Sequence, residues 1–487
     1  MLSSRMPRPF FLRPPATGRP SAVAAEAMVA TSQPLATRAG LRALERGGNA
    51  VDAALAAAAV LCVTEPMSTG IGGDLFAQVW DGKKLHGLDA AGPAPLRADP
   101  DGPVEEAGPR SVTVPGAVAG WSALAEQFGL LGLDAALEDA ISAAENGFAV
   151  AVRTANAWAT SHAALALGQV PRVGERARLP ELGATLRRVA KDGADAIYSG
   201  RVAEAIASCT WLEAEDLAGF RPRWVEPLTL DYRGTTVCEL PPPTQGVAAL
   251  EGLGLLALGS SAEAEQVECA RLALEDAFSH VRDGADVTGL LDPDFLERRR
   301  REGSTSVIEP PGGTVYLCVV DGDRMAVSLI QSLYDSFGSG IVAPGTGVVL
   351  QNRGACFAVS GHVDPGRRPY HTIIPGMLLR DGKLVGPFGV MGGFLQAQAH
   401  VQVVPWLADP LVDPQWVLDQ PRFRIEGDVV LLEGELWESA PEIKALGLRV
   451  KAEPDSTVFG GGQAIVVWDD VLLGGSDSRK DGYAAGF

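Results

Sequence analysis

The sequence lacks the motifs by which many enzymes are identified. It contains no HExxH, no phosphate-binding P-loop and no GxSxG around a nucleophilic serine. Signature-based assignment as a zinc protease, a P-loop nucleotide hydrolase or an α/β-hydrolase is therefore excluded. The histidines show no metal-ligand spacing, so each alone is expected to be structural or at the surface, and neither a metal nor an organic cofactor is expected; they are His86, His162, His280, His362, His371 and His400.

Cysteine is sparse as well, and no membrane or export segment is evident. The six cysteines among 487 residues form no CxxC pair, which favours buried free thiols in a reducing compartment. The first twenty residues have no apolar core of a signal peptide. The longest apolar run, residues 53–63, is shorter than the roughly 20 residues of a membrane helix. We expect a cytoplasmic protein without membrane contact.

The charge balance is acidic and the composition is that of a compact globular protein. The chain has 41 Lys and Arg against 60 Asp and Glu, a net charge of −19, which would repel phosphate backbones and excludes nucleic acid as an expected partner. Hydrophobic residues make up 46% of the chain, so a large core is expected.

Local patterns change character along the chain. Residues 1–27 are expected to be a poorly ordered lead-in. Two helices are then predicted, one from Pro34 that stops at Gly47-Gly48 and a buried one over residues 50–63 behind an Asn49/Asp52 capping box. A hairpin is predicted to turn at Asp81-Gly82. The first two thirds are mainly helical, whereas short strands are predicted at 314–320, 325–330, 347–350, 372–379 and 384–390.

A Pro/Gly-rich linker, STSVIEPPGG at residues 304–313, separates these two parts and places Thr314 at the start of a strand. The stretch after the linker can be interpreted as an ordinary β-hairpin, with a strand over 314–320, a turn at Asp321-Gly-Asp and a strand over 325–330. It can also be interpreted chemically, because a threonine hydroxyl could attack the carbonyl of the preceding Gly313, where glycine tolerates a strained turn. Cleavage would free the α-amine of Thr314, whose reference pKa is about 8, to serve as base for its own hydroxyl.

Several ordered blocks resemble the γ-glutamyltransferase family over nearly the whole chain. They include MVATSQPLATRAGLRALERGGNAVDAALAAAAVLCVTEPMSTGIGGDLF, SVTVPGAVAGW, the DYRG and PPPTQG stretch, the segment from Thr314 through FGSGIVAPGTGVVLQN, and GVMGG. The resemblance implies an α+β fold, a four-layer αββα sandwich of the N-terminal-nucleophile hydrolase type. It also implies a precursor cut into a large subunit (28–313) and a small subunit (314–487) that form one compact unit; a dimer of this pair stays open.

The resemblance also implies roles for individual residues. Thr314 matches the nucleophile, and Ser332 falls where the family has a hydroxyl residue bonded to it. Gly392 and Gly393 match the pair whose N–H groups form the oxyanion hole. His371-Thr372 occupies the place of a serine pair that contacts substrate.

The sequence departs from the family at the positions that hold a glutamyl group. Ala91 stands near the place of the arginine for the α-carboxylate, and Cys356 replaces the acidic residue for the α-amine. Tyr334 and Arg353 replace two amide-bearing residues. These changes argue against an α-amino-acid head group, and Arg353 could clamp a substrate carboxylate unless it forms a structural ion pair.

Three functions follow as hypotheses. The leading one is a divergent amidohydrolase, similar to cephalosporin-acylase and oxamate-amidohydrolase relatives, that cleaves a small amide through an acyl-enzyme on Thr314. The second is a true γ-glutamyl transferase or glutathione hydrolase. The third is an unprocessed, inactive paralogue that acts as a binding protein.

Overall fold

The computed structural model describes residues 19–303 and 313–487. Within them the chain forms two large sheets, a three-stranded sheet and two two-stranded sheets, with helices on the outer faces of the large pair. The strands are β1 (Ala22–Ala24), β2 (Met28–Thr31), β3 (Asp74–Trp80), β4 (Leu85–Ala90), β5 (Phe148–Ala149), β6 (Arg176–Ala177), β7 (Arg223–Val225), β8 (Leu228–Tyr232), β9 (Thr235–Glu239), β10 (Gly313–Val320), β11 (Ala326–Tyr334), β12 (Val342–Ala343), β13 (Val348–Val349), β14 (Gly376–Arg380), β15 (Lys383–Met391), β16 (Phe423–Glu426), β17 (Val429–Leu432), β18 (Arg449–Ala452), β19 (Gly461–Trp468), β20 (Val471–Ser476) and β21 (Tyr483–Gly486).

The helices are concentrated before residue 303. They are α1 (Pro34–Glu45), α2 (Ala50–Thr64), α3 (Ala117–Phe128), α4 (Leu133–Asn146), α5 (Val152–Thr160), α6 (Pro180–Asp192), α7 (Asp195–Tyr198), α8 (Gly200–Cys209), α9 (Ala214–Ala218), α10 (Gly246–Ala257), α11 (Glu263–His280), α12 (Pro293–Glu302), α13 (Leu395–Leu407), α14 (Pro414–Asp419) and α15 (Ala440–Ala445). No helix among these residues is both long and apolar enough to cross a bilayer.

The two large sheets stack face to face, which gives four layers and confirms the predicted αββα class. One sheet has the strand order β21-β2-β10-β11-β3-β4-β7 and the other β1-β20-β19-β15-β14-β9-β8. The helix α2 packs on the outer face of the first, and α10 and α13 pack on the second. An apolar layer that includes Met28, Phe76, Tyr316 and Ile465 fills the space between the sheets.

The pleat of the central strands decides which side chains face the space between the sheets. Successive strand residues point to opposite faces. On β10, Val315 and Leu317 belong to the core under α2, whereas Tyr316 and Cys318 belong to the core between the sheets. The even-numbered residues of β10 and of β11 as far as Ser332 therefore point inward, and Thr314 is the last of them on β10.

Local sequence signals account well for the elements under the first sheet. The Asn49/Asp52 capping box opens α2, and every residue of that helix is buried, as its apolar composition predicts. The hairpin of β3 and β4 encloses the predicted turn at Asp81-Gly82. All six cysteines are free, and five of them are buried.

Two sequence-based predictions need correction. The prediction of a poorly ordered lead-in over residues 1–27 is wrong for its last part, because β1 pairs with β20 at the edge of a sheet. Residues 1–18 lie outside the described residues, as do residues 304–312 of the predicted linker. The strand predicted over 372–379 begins only at Gly376. Pro375 has no N–H to donate to a ladder, so the stretch before it runs as an extended segment instead.

Each large sheet contains strands from both sides of the Gly313–Thr314 bond, and strands from the two sides are hydrogen-bonded to each other. In the first sheet, β10 and β11 lie between β2 and β3, which come from the other part of the chain. In the second, β14 pairs with β9. The two parts of the chain therefore share one hydrogen-bonded framework.

Candidate functional site

The candidate nucleophile, Thr314, is buried at the inward-facing end of β10 and lies beside two polar side chains. Its hydroxyl donates to the Oγ of Ser332 on β11 over 3.3 Å, and the Nε2 of Gln396 donates to the Thr314 Oγ1 over 3.5 Å. Only 3% of Thr314 is exposed. Its hydroxyl thus has a defined direction and little competition from bulk water.

The ladder between β10 and β11 is irregular at Thr314. Gly313 pairs with Tyr334 but Val315 pairs with Gln331, so two residues of β11 face Thr314. Tyr334 adopts a positive φ of 76° at this bulge, and its N–H donates to the Ser332 Oγ over 2.7 Å. A bulge bends the strand locally and re-aims its side chains, and here it does so next to the Gly313–Thr314 peptide bond.

The glycine pair lies between β15 and the first turn of α13. Gly392 and Gly393 have φ angles of 140° and 64°, which side-chain-bearing residues rarely adopt. A Cβ on Gly392 would come within 3.1 Å of the Leu395 Cδ2. Because the N-terminus of a helix carries partial positive charge and unpaired N–H groups, this loop has the character of an anion site.

Gln245 ties that loop to the segment that carries His371 and Thr372. Its Nε2 donates to the carbonyl oxygen of Thr372 over 2.6 Å and to that of Gly393 over 3.2 Å. Its Oε1 accepts from the Tyr370 hydroxyl over 3.3 Å. One buried amide thereby fixes the spacing between two of the predicted site segments.

Arg353 is a buried cation at the centre of the site. Its Nη1 donates to the Thr372 Oγ1 over 2.9 Å, its Nη2 lies 3.5 Å from the Ser332 Oγ, and its Cζ is 4.5 Å from the centre of the Tyr334 ring. Its Nε has no hydrogen-bond partner among the described residues. No carboxylate in residues 19–303 or 313–487 lies within ion-pair distance of the guanidinium, so the structural ion pair considered from the sequence is absent from this part of the chain.

A buried acid–histidine pair completes the site. The Asp74 Oδ2 lies 3.1 Å from the His371 Nε2, and both side chains are fully buried. Burial raises the pKa of Asp74 to about 7, although the nearby positive charge of Arg353 opposes the rise. Burial also lowers the pKa of His371 well below its usual value, and Arg353 lowers it further. His371 is therefore a neutral imidazole.

Comparisons with known proteins identify the family of the chain. The sequence profile of the gamma-glutamyltranspeptidase family matches residues 36–487. The chain belongs to the γ-glutamyltranspeptidase family. It is 34% identical to an oxamate amidohydrolase proenzyme of Klebsiella pneumoniae subsp. pneumoniae over 96% of this chain and 99% of that protein. It is 31% identical to a glutathione hydrolase-like proenzyme of Bacillus subtilis over the same shares.

A solved structure has the same architecture from end to end. The crystal structure of a cephalosporin acylase from Bacillus halodurans superposes with a TM-score of 0.90 at 38% identity, covering 100% of this chain and 99% of that one. Family membership and this match identify the chain as an enzyme of the N-terminal-nucleophile hydrolase type.

The structure brings together most of the residues that the family resemblance singled out. Thr314 contacts Ser332, and Arg353 contacts Ser332, Thr372 and the Tyr334 ring. Near Ala91, where the family arginine is missing, a different arginine is found: the Arg368 Nε donates to the Ala91 carbonyl over 2.6 Å and lies 3.5 Å from the Asp89 Oδ2. Arg368 is thus already paired and does not replace the lost residue.

Sequence analysis missed three polar residues of the site, namely Gln396, Gln245 and Asp74. Each lies in a quoted family block or beside one, but none has a local pattern that distinguishes it from other polar residues. Polar residues within otherwise apolar stretches, such as Asp74 in IGGDLF and Gln396 in GGFLQAQ, were the available signal.

We expect Gln396→Leu to slow the enzyme. Its amide nitrogen is directed at the Thr314 hydroxyl, and its Oε1 accepts from the Ile374 N–H over 3.0 Å. Losing a single orienting hydrogen bond should lower kcat about tenfold. The orphaned N–H should lower the free energy of unfolding by about 1–3 kcal/mol.

The measurement is kcat for amide hydrolysis together with denaturant unfolding. Gln398→Leu, two residues along the same helix, is the matched control, because Gln398 also bonds a backbone N–H, that of Ile425, but makes no contact with Thr314. It should lose stability and keep kcat. Equal kcat values in the two variants would contradict a role for Gln396 in orienting the nucleophile.

Proposed function

We propose that this chain is a self-processing amidohydrolase that cleaves small, carboxylate-bearing amides through an acyl-enzyme on Thr314. The observation that carries the proposal is the position of Thr314. It follows Gly313 at a bulge, its hydroxyl is held by Ser332 and Gln396, and it belongs to the same site as the buried guanidinium of Arg353, which has no carboxylate within ion-pair distance among the described residues.

Processing would begin with attack of the Thr314 Oγ1 on the carbonyl carbon of Gly313. The C–N bond breaks as the Thr314 nitrogen takes up the hydroxyl proton, which leaves an ester between Gly313 and the threonine oxygen. Water then hydrolyses the ester, so that Gly313 gains a carboxylate and Thr314 keeps a free hydroxyl and a free α-amine. The large and small subunits would stay together, because their strands are hydrogen-bonded to each other in both large sheets.

Catalysis would repeat this chemistry on an external amide. The α-amine of Thr314, with a reference pKa of about 8, accepts the hydroxyl proton as the oxygen attacks and returns it to the leaving amine. The N–H groups at Gly392 and Gly393 would stabilise the oxyanion, which is worth about 3 kcal/mol for each such donor. Water then hydrolyses the acyl-enzyme and releases the acid.

Arg353 is proposed to hold a carboxylate on the acyl part of the substrate. A buried cation without an anionic partner carries a large desolvation cost that a bound anion would offset. A planar guanidinium binds a carboxylate through two parallel hydrogen bonds. Oxamate, a two-carbon amide with a carboxylate next to the amide carbonyl, is on these grounds the first substrate to test, and the Klebsiella relative is named for it.

The test is a comparison of three amides, namely oxamate, its neutral counterpart oxamide and a γ-glutamyl anilide, with the purified protein. Oxamate should release ammonia with a kcat/KM at least about a hundredfold above that for a γ-glutamyl anilide, because Arg353 recognises a carboxylate whereas nothing replaces the lost glutamyl contacts. Faster release of the aniline would support a true γ-glutamyl transferase instead. A protein that stays uncut and cleaves none of the three would support the binding-protein hypothesis.

A further inference from the structure

Asp74, the first residue of β3, is a buried carboxylate that accepts several hydrogen bonds next to the proposed substrate site. Its Oδ1 accepts from the N–H of Gly92 over 3.1 Å, from the N–H of Gly116 over 3.2 Å and from the Gln351 Nε2 over 3.0 Å. Among the described residues, its Oδ2 has one hydrogen-bond partner, the His371 Nε2. The mechanism proposed above gives this acid no part in bond making or breaking.

Asp74 is connected to the proposed carboxylate site in two ways. The first is a chain of contacts: Asp74 bonds His371, and the next residue, Thr372, accepts a hydrogen bond from the Arg353 Nη1 through its hydroxyl. The second acts through space: burial is the main cause of both pKa shifts, and the positive charge of Arg353 opposes the rise of the Asp74 pKa and adds to the lowering of the His371 pKa. The guanidinium is thus balanced at a distance by an acid that it does not contact.

We propose that the Asp74–His371 pair is the counter-charge of Arg353 in the empty site and takes up one proton from solvent when a substrate carboxylate binds. The inference rests on the proposed carboxylate site at Arg353. Once an anion occupies that site, a second buried negative charge close by becomes unfavourable. The pair then acts as a positioning and specificity-determining element, because its charge state decides how well the site accepts an anion.

The geometry lets the pair gain a proton without moving a heavy atom. In the charged state His371 donates its Nε2 hydrogen to the Asp74 Oδ2. In the protonated state that hydrogen is on the Oδ2, which donates it to the Nε2, and the proton taken up from solvent is on the Nδ1, so the ring stays neutral. Phe76 packs against the imidazole edge to face at 4.7 Å and holds the ring in place for both states. The proton belongs to the pair rather than to one residue.

Other titratable groups face this pair from the surrounding elements. They are Arg353 and Cys356 from the turn after β13, Asp89 from β4, and Tyr198 from α7. Burial raises the pKa of the Cys356 thiol and, strongly, that of the Tyr198 hydroxyl, so both stay neutral at physiological pH. Burial raises the pKa of Asp89 to about 7 as well, which makes Asp89 the matched control. It pairs with Arg368 and does not contact His371.

The experiment measures the affinity of the processed protein for oxalate, the unreactive dianion that oxamate hydrolysis would yield, between pH 6 and pH 8. Affinity should fall as pH rises through the pKa of Asp74, and the dissociation constant should increase about tenfold over this range, one decade per pH unit above pH 7. Calorimetry in two buffers of different ionisation enthalpy should show net proton uptake on binding at pH 7.5.

Asp74→Asn should remove most of this dependence. The Asn oxygen can keep the three donors, and its Nδ2 can donate to the His371 Nε2, which then moves its hydrogen to Nδ1. We expect the dissociation constant of this variant to change less than about threefold across the range and to be about tenfold lower than wild type at pH 8. Asp89→Asn should keep the wild-type slope.

Two results would overturn the inference. One is an unchanged slope in Asp74→Asn; the other is calorimetry of the wild-type protein without proton uptake, a measurement that does not depend on how the variant folds. Failure of the proposed function would look different. In that case Arg353→Gln would bind oxalate as tightly as wild type, whatever Asp74 does.

Discussion

Thr314→Ala is expected to lower kcat for amide hydrolysis by at least about 10⁴-fold and to leave the chain uncut. The hydroxyl is the attacking atom in both processing and catalysis. Ser332 is the nearest hydroxyl, but it already accepts the N–H of Tyr334 at the bulge and lies one strand away. The measurement is ammonia release from oxamate alongside a denaturing gel.

Thr314→Ser is the control for this prediction. Serine keeps the hydroxyl and, after cleavage, the α-amine, and it loses only a methyl group at a buried position. It should still be processed and should keep kcat within about one hundredfold of wild type. If Thr314→Ala kept wild-type activity, whether or not the chain was cut, Thr314 could not be the nucleophile.

Arg353→Gln should lower kcat/KM for oxamate by about 10²–10³-fold while changing that for oxamide, its neutral diamide counterpart, less than about fivefold. Hydrogen bonds to charged groups are each worth about 1.5–3 kcal/mol, and the substitution removes two of them together with the charge. Glutamine can still bond the Thr372 hydroxyl, so the surrounding segment should stay in place. The loss should appear mainly in KM, since the carboxylate is bound in the ground state as well as the transition state.

The neighbouring Arg368 provides the matched control for Arg353. Both arginines are buried, but Arg368 is paired with Asp89 and with the carbonyl of Ala91. Arg368→Gln should therefore reduce the free energy of unfolding and leave the preference for oxamate over oxamide unchanged. If both arginine variants shifted the preference equally, or if neither did, recognition of the carboxylate by Arg353 would be wrong.

Sequence patterns predicted the local elements around the site better than their ends. The capping box before α2 and the turn between β3 and β4 depend on a few adjacent residues, so they could be recognised without tertiary information. The start of β14 was placed too early because Thr372–Ile374 has strand-like composition, whereas Pro375 and the bonds of Gln245 hold this stretch outside the sheet. The strand at Ala22–Ala24 was missed because it is short and is stabilised by distant β20.

The site likewise contains residues that the sequence could identify and residues that it could not. Thr314 could be singled out from its position after two glycines, and the roles of Ser332, Gly392 and Gly393 came from the family resemblance. The contacts of Gln396 and Asp74 could not be predicted, because they join residues separated by tens to hundreds of positions: 82 between Gln396 and Thr314, and 297 between Asp74 and His371. Only the stacking of the two sheets brings these residues together.

The sequence also could not predict that Arg353 has no carboxylate within ion-pair distance among residues 19–303 and 313–487. A buried arginine in an acidic protein would ordinarily be expected to pair with one of the 60 Asp and Glu residues. The structure instead directs its Nη1 and Nη2 toward two hydroxyls and stacks its plane near an aromatic ring. This arrangement leaves the charge available to a ligand, and it turns a one-residue departure from the family into a hypothesis about substrate.

The most direct test of the central claim is the intact mass of the purified protein under denaturing conditions. The account predicts two fragments in wild type whose masses place the cut between Gly313 and Thr314, so that the smaller fragment begins with Thr314 and carries a free α-amine. A single full-length mass after prolonged incubation, or a cut at any other bond, would contradict it.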